Sequence, residues 1–65
     1  MARNDYHVTA VRNGGVFGHH VAHCDESGIC NGDERFLCPV ADGDEVEPGI
    51  IYEIYDGAIQ GVVIS

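Results

Sequence analysis

Six of the seven histidines and cysteines, namely His19, His20, His23, Cys24, Cys30 and Cys38, fall within twenty positions, and only His7 lies outside. Cysteine thiolate and neutral imidazole are the usual ligands of tetrahedral zinc, and a closed structural site takes four of them. Cys24, Cys30 and Cys38 with either His20 or His23 meet that requirement. Spacing restricts how they can meet. In an extended strand, positions 20 and 24 stand about 13 Å apart at ~3.3 Å per residue. Zinc bonds of about 2.0–2.3 Å cannot span that distance. The chain must therefore turn between His20 and Cys24. A helical turn would stack 20 on 24 and 19 on 23, and a bend would present His23 and Cys24 together.

Two other uses of the thiols stay open. Cysteines without a partner behave as small buried hydrophobes. Alternatively, Cys24 and Cys38 form a disulfide and leave Cys30 as a redox-sensitive thiol. The cysteines are separated by five and then seven residues, with no C-x-x-C knuckle. An odd number of them, with no apolar leader in the first fifteen residues, argues against a disulfide framework and for a cytoplasmic or virion location. Singly, His19 and His20 read as solvent-facing, and His7 as a strand residue without a role.

The elements that must position this cluster read as β. Ile50 to Tyr55 and Ala58 to Ile64 flank Asp56-Gly57, a pair that favours a two-residue mirror-image turn because both positions need positive φ. That turn predicts Tyr55 opposite Ala58, Ile54 opposite Ile59, Glu53 opposite Gln60 and Tyr52 opposite Gly61. Tyr52, Ile54 and Ile59 then share a core face, while Ile51, Tyr55 and Val62 lie on the other face and need cover from a partner. Pro48-Gly49 reads as a type II turn. Arg35 to Ala41 is a short strand with Phe36, Cys38 and Val40 on one face, and Pro39 makes it an edge strand or ends it in a bulge. Tyr6 to Arg12 is a strand that turns at Asn13-Gly14-Gly15 into another beginning at Val16. Asn31-Gly32 is a further mirror-turn signal, predicting Cys30 opposite Asp33 and a bend at Ser27-Gly28. The expectation is one all-β domain over 1–65, a five-stranded SH3-like or OB-like barrel without a substantial helix. It places the His/Cys cluster at 19–38 and a hairpin at 50–64.

Composition narrows function by exclusion. Eleven acids face three arginines and no lysine, for a net charge of −8. Nucleic-acid and anionic-membrane binding depend on neutralising phosphates with basic side chains, so neither is expected. The same balance resembles proteins of extreme halophiles, whose acidic surfaces tolerate molar salt because repulsion is screened there. The acidic link Asp42 to Glu47 lacks EF-hand spacing and reads as a solvated turn. There is no G-x-S-x-G, no phosphate loop ending in lysine and no H-E-x-x-H. A chain of this size rarely encloses the pocket that catalysis requires. So small a domain gains little from its own core. The expectation is thus a non-catalytic structural or interaction module in a larger assembly, such as a minor capsid, decoration or tail protein of a halophile's virus, stabilised by zinc and by protein partners that include copies of itself. A free zinc-binding adaptor and an acidic nucleic-acid mimic are the alternatives.

Overall fold

The computed structural model describes residues 4–27 and 29–63. Gly28, where a bend is expected, and Ile64, the expected end of the last strand, lie outside the described residues. Five strands form one antiparallel sheet: β1 (Asp5–Arg12), β2 (Gly15–His20), β3 (Arg35–Pro39), β4 (Ile51–Tyr55) and β5 (Ala58–Val62), in the spatial order β3-β2-β1-β4-β5. A single 3-10 turn at Val21–His23 is the helical structure among the described residues. The all-β, five-strand expectation holds. The sheet is open: β3 and β5 are its two edges, and no ladder joins them among the described residues.

Both hairpins grow from local turn chemistry. Asn13 and Gly14 take φ of 53° and 73°, and Asp56 and Gly57 take 58° and 74°. These paired positive values give the backbone twist that matches flanking strands. Gly49, after Pro48, takes φ of 92°, as a type II turn demands. At Asn31-Gly32 the expectation fails. Gly32 alone has positive φ, and no two-residue turn forms there. The segment is instead held back toward the 3-10 turn, with the Asn31 amide donating to the His23 carbonyl at 2.8 Å.

Three one-residue bulges decide which side chains face inward. On β5, Tyr55 pairs with Ala58 and Ile54 with Ile59 as expected, but Glu53 then pairs with Gly61 and Tyr52 with Val62. Gln60 is the extra residue, and its side-chain amide bonds back to the Tyr55 and Ala58 carbonyls. The predicted pairing of Tyr52 with Gly61 is thereby displaced by one. On β3, Cys38 pairs with Val16 and Phe36 with Phe17, leaving Leu37 as the extra residue. A bulge reverses alternation. Cys38 is consequently 1% exposed while Phe36 is 57% exposed, and the two do not share a face as expected. Phe36 packs edge-to-face on Phe17 on the outer side. On β1, Thr9 is the extra residue opposite Gly18 and Phe17. Gly18 is required there: a Cβ would stand 2.1 Å from the His7 carbonyl oxygen.

The core is small. Val8, Val16, Cys38, Tyr52 and Ile54 are buried, with half-buried Tyr6, Val11, Leu37, Val40, Val46, Ile50 and Ile59 packed around them. The acidic link is pinned over this core by the Glu47 amide, which donates to the Tyr52 hydroxyl at 2.9 Å. Just before its bulge, β1 also exchanges bonds with the Gly49–Ile50 segment, Val8 amide to Ile50 carbonyl and Gly49 amide to Val8 carbonyl. This crossing binds the N-terminal hairpin to the C-terminal one.

Candidate functional site

The chain does turn between His20 and Cys24, through the 3-10 turn. His20 keeps extended dihedrals and caps that turn, its Nδ1 accepting from the Ala22 amide at 3.1 Å. The Cys24 amide closes it by donating to the Val21 carbonyl at 2.9 Å. The His20 ring meets Tyr6 edge-on at 4.9 Å and His23 at 6.0 Å. His20 therefore acts as a cap and a ring contact, while His23 projects from the turn beside it.

The next residues make a closed loop. Cys24 and Cys30 are disulfide-bonded, with Cα atoms 3.7 Å apart. The expected alternative pairing, Cys24 with Cys38, is not formed. Its premise was a hairpin at Asn31-Gly32, and without that turn Cys38 is carried into β3 and away from the loop. Inside the loop the Asp25 amide donates to the Ile29 carbonyl, and Asp25 Oδ1 accepts from the Ser27 and Ile29 amides. An aspartate that gathers neighbouring amides in this way stabilises a tight turn without further packing.

His7, on β1, completes the group. Its Nδ1 lies 3.6 Å from Cys30 Sγ. The ligand atoms of His7, Cys24 and Cys30 all lie within 4.8 Å of one another, and each residue is half-buried. Of the residues expected as ligands, the fold brings Cys24 and Cys30 together. Cys38, His20 and His23 do not join that group among the described residues. Cys38 fits the small-hydrophobe reading instead. Burial pushes its thiol above the usual cysteine range, and the nearby Asp44 carboxylate pushes in the same direction. His7 is the residue that sequence reasoning set aside, because it lies seventeen positions before Cys24. A signal was present nonetheless. The Asn13-Gly14 turn alone places His7 opposite His20, near the point where the chain leaves toward Cys24, and the Thr9 bulge shifts its observed partner to His19.

A groove of about 440 Å³ includes His7 and Cys24 of this group in its lining. His7 and Cys24 line it together with the apolar Val21, Ile50, Ile51, Val62 and Val63 and the acidic Asp25 and Glu26. Two of the three expected partner-facing residues, Ile51 and Val62, belong to it, and Val62 is 58% exposed. Tyr55, 61% exposed, lies at a separate hollow with Phe36 and Leu37, between the edge strand β3 and the Asp56-Gly57 turn.

The outer face of β1 and β2 carries a polar cluster. Glu34 accepts from the Thr9 hydroxyl at 2.6 Å and from Arg12 at 2.7 Å. The Arg12 guanidinium lies 4.2 Å from the centroid of the Phe17 ring. The Thr9 hydroxyl and the Arg12 guanidinium hold the Glu34 carboxyl below the usual glutamate range.

No known protein family, curated protein or solved structure matches the chain. No helix among the described residues is long and apolar enough to cross a membrane.

Proposed function

We propose that the chain is a non-catalytic interaction module that takes up an extended, basic segment of a partner protein along the free side of β5. The observation that carries this reading is an edge strand with no charge and no proline beside an apolar groove. Natural edge strands are blunted by charge, proline or a bulge. β3 carries Arg35 and Pro39, whereas β5 reads Ala-Ile-Gln-Gly-Val without a charged side chain. The bulge at Gln60 interrupts β5 in the middle, and Val62 and Val63 beyond it line the groove. An extended peptide can add a strand at such an edge, gaining main-chain hydrogen bonds while alternate side chains enter the adjoining pocket. Asp25 and Glu26 in the groove lining and the net charge of −8 favour a basic occupant. A second copy would bring the same charge against itself. Incorporation into a larger particle, the setting suggested by size and acidity, is the same reading on a larger scale.

The test compares two short synthetic peptides, one alternating lysine with valine and one alternating glutamate with valine. Amide NMR shifts of the chain are followed during titration. The lysine peptide is expected to shift Gly61, Val62 and Val63, with loss of the effect in Val62→Asp and none from the glutamate peptide. Equal responses to both peptides overturn the proposal. So does concentration-dependent pairing of the chain with itself through these same amides.

A further inference from the structure

We infer that reducing the Cys24–Cys30 disulfide turns the His7, Cys24 and Cys30 group into a three-ligand zinc site whose fourth position opens on the groove. This inference is independent of the peptide reading, since it rests on the ligand atoms and not on the sheet edge. It also revises the ligand set expected from sequence, replacing His20 or His23 by His7 and leaving Cys38 in the core.

The distances suit the ion. Tetrahedral zinc with bonds of about 2.3 Å to sulfur and about 2.0 Å to nitrogen places a sulfur and a nitrogen roughly 3.5 Å apart, and two sulfurs about 3.8 Å apart. His7 Nδ1 already stands 3.6 Å from Cys30 Sγ. The two sulfurs must separate once their bond is broken, and Cys24 Sγ, within 4.8 Å of the His7 ligand atom, must settle at zinc-bound distance from it. From any ordinary disulfide, each moves about 0.9 Å to reach the zinc-bound separation. Rotation about a Cα–Cβ bond supplies that much motion without moving the strands. His7 is fixed by the pairing of β1 with both β2 and β4. The loop ends are held by the Asp25–Ile29 and Asn31–His23 backbone bonds. The ligands are thus positioned by elements that do not depend on the disulfide itself.

The chemistry balances with one co-reactant, a dithiol reductant. One of its thiolates attacks a sulfur of the disulfide and the mixed disulfide resolves by its second thiol, leaving Cys24 and Cys30 as thiols and the reductant as its own disulfide. Zinc then displaces the two thiol protons to solvent, while His7 donates the lone pair of a neutral ring nitrogen. Three protein ligands and one exchangeable position is the arrangement of open zinc sites, as opposed to closed four-ligand structural ones. His7 and Cys24 line the groove, so the fourth position takes water or a donor atom from whatever occupies it. The disulfide and the metal are mutually exclusive, and zinc occupancy follows the thiol redox state of the surroundings.

Native mass spectrometry of the full chain with equimolar zinc tests this. The chain is compared oxidised and after reduction by a phosphine, with near-ultraviolet circular dichroism as the control for folding. The oxidised chain is expected to take up no zinc and the reduced chain one ion. Cobalt in place of zinc should give thiolate-to-metal charge-transfer absorption in the reduced chain only. His7→Ala should weaken zinc binding by tenfold or more, and Cys38→Ala should leave it unchanged. If reduction loosens the fold, recovery of the near-ultraviolet signal on adding zinc supports the site equally. Zinc uptake by the oxidised chain overturns the inference, because the acidic surface and the remaining histidines are then the ligands. It is also overturned by a reduced chain that binds no zinc, by His7→Ala binding as tightly as the parent, or by loss of binding in Cys38→Ala.

Discussion

Gly18 offers the sharpest test of the architecture that places His7. Replacing it by alanine adds one methyl group, and that methyl would sit 2.1 Å from the His7 carbonyl oxygen and 2.9 Å from the Val8 Cα. Both neighbours are backbone, so no side chain can swing aside. To restore ordinary contact, β1 and β2 must part by about 1 Å at the bulge, and overpacking of this kind costs about 1–3 kcal/mol. The control lies in the same sheet. A Cβ on Gly61 meets nothing within 4 Å, and its φ is not in the left-handed region. Gly61→Ala should therefore stabilise by roughly 0.4–1 kcal/mol, through the reduced freedom of the unfolded chain. In a domain this small, 1 kcal/mol corresponds to about 4–8 °C in Tm. Thermal melts by circular dichroism should thus show Gly18→Ala about 6 °C or more below Gly61→Ala, and urea titration should give the same ranking with unchanged m-value. A Gly18→Ala variant that melts at or above the parent would refute the bulge geometry and with it the placement of His7.

Two further outcomes concern the loop and the outer polar cluster. The disulfide closes a loop of only seven residues, Cys24 to Cys30. Chain-entropy arithmetic for so short a loop gives about 2 kcal/mol of stabilisation. The Cys24→Ser, Cys30→Ser double variant should be less stable by that amount in urea titration without zinc, and an unchanged midpoint would show the loop to be held by its backbone bonds alone. Glu34 is held ionised below the ordinary carboxylate range by Thr9 and Arg12. Its contribution to stability is fully present above its unfolded-state pKa and is lost as the pH falls through its lower folded-state value. Glu34→Gln should accordingly melt lower than the parent near neutral pH, with the two curves converging in acid, and parallel curves across the whole range would count against the cluster.

Sequence alone determined the features that depend on near neighbours. The mirror-image turn at Asp56-Gly57 was legible because positive φ at two successive positions is a property of that residue pair, and a turn at Asn13-Gly14-Gly15 was legible from its residues, though its two-residue form was not. Pro48-Gly49 was legible because proline fixes the negative φ of the second position of a type II turn and glycine supplies the positive φ of the third. The inward set of Tyr52, Ile54 and Ile59 comes from period-two alternation counted out from the Asp56-Gly57 turn. The all-β class reflects these local choices agreeing with one another. The chain's acidity is a matter of composition, and it narrows the nature of a partner whatever the fold.

Tertiary structure decided the rest, and the bulges are the clearest case. An extra residue at Thr9, Leu37 or Gln60 leaves no local mark, because each arises from how one strand lies against another. Yet each reverses the facing of the residues beyond it, which is why Phe36 is outside while Cys38 is inside. The thiol partner was decided at the same level. Asn31-Gly32 has the residues of a mirror turn, but the loop hydrogen bonds of Asp25 and Asn31 hold the chain to a different path, and Cys24 meets Cys30. His7 comes to the cysteines only because β1 sits at the centre of the sheet, between β2 and β4. Groups distant in sequence are brought together by pairings whose cost is chain entropy and whose return is burial. That balance is struck over the whole sheet and cannot be read from any one stretch of residues.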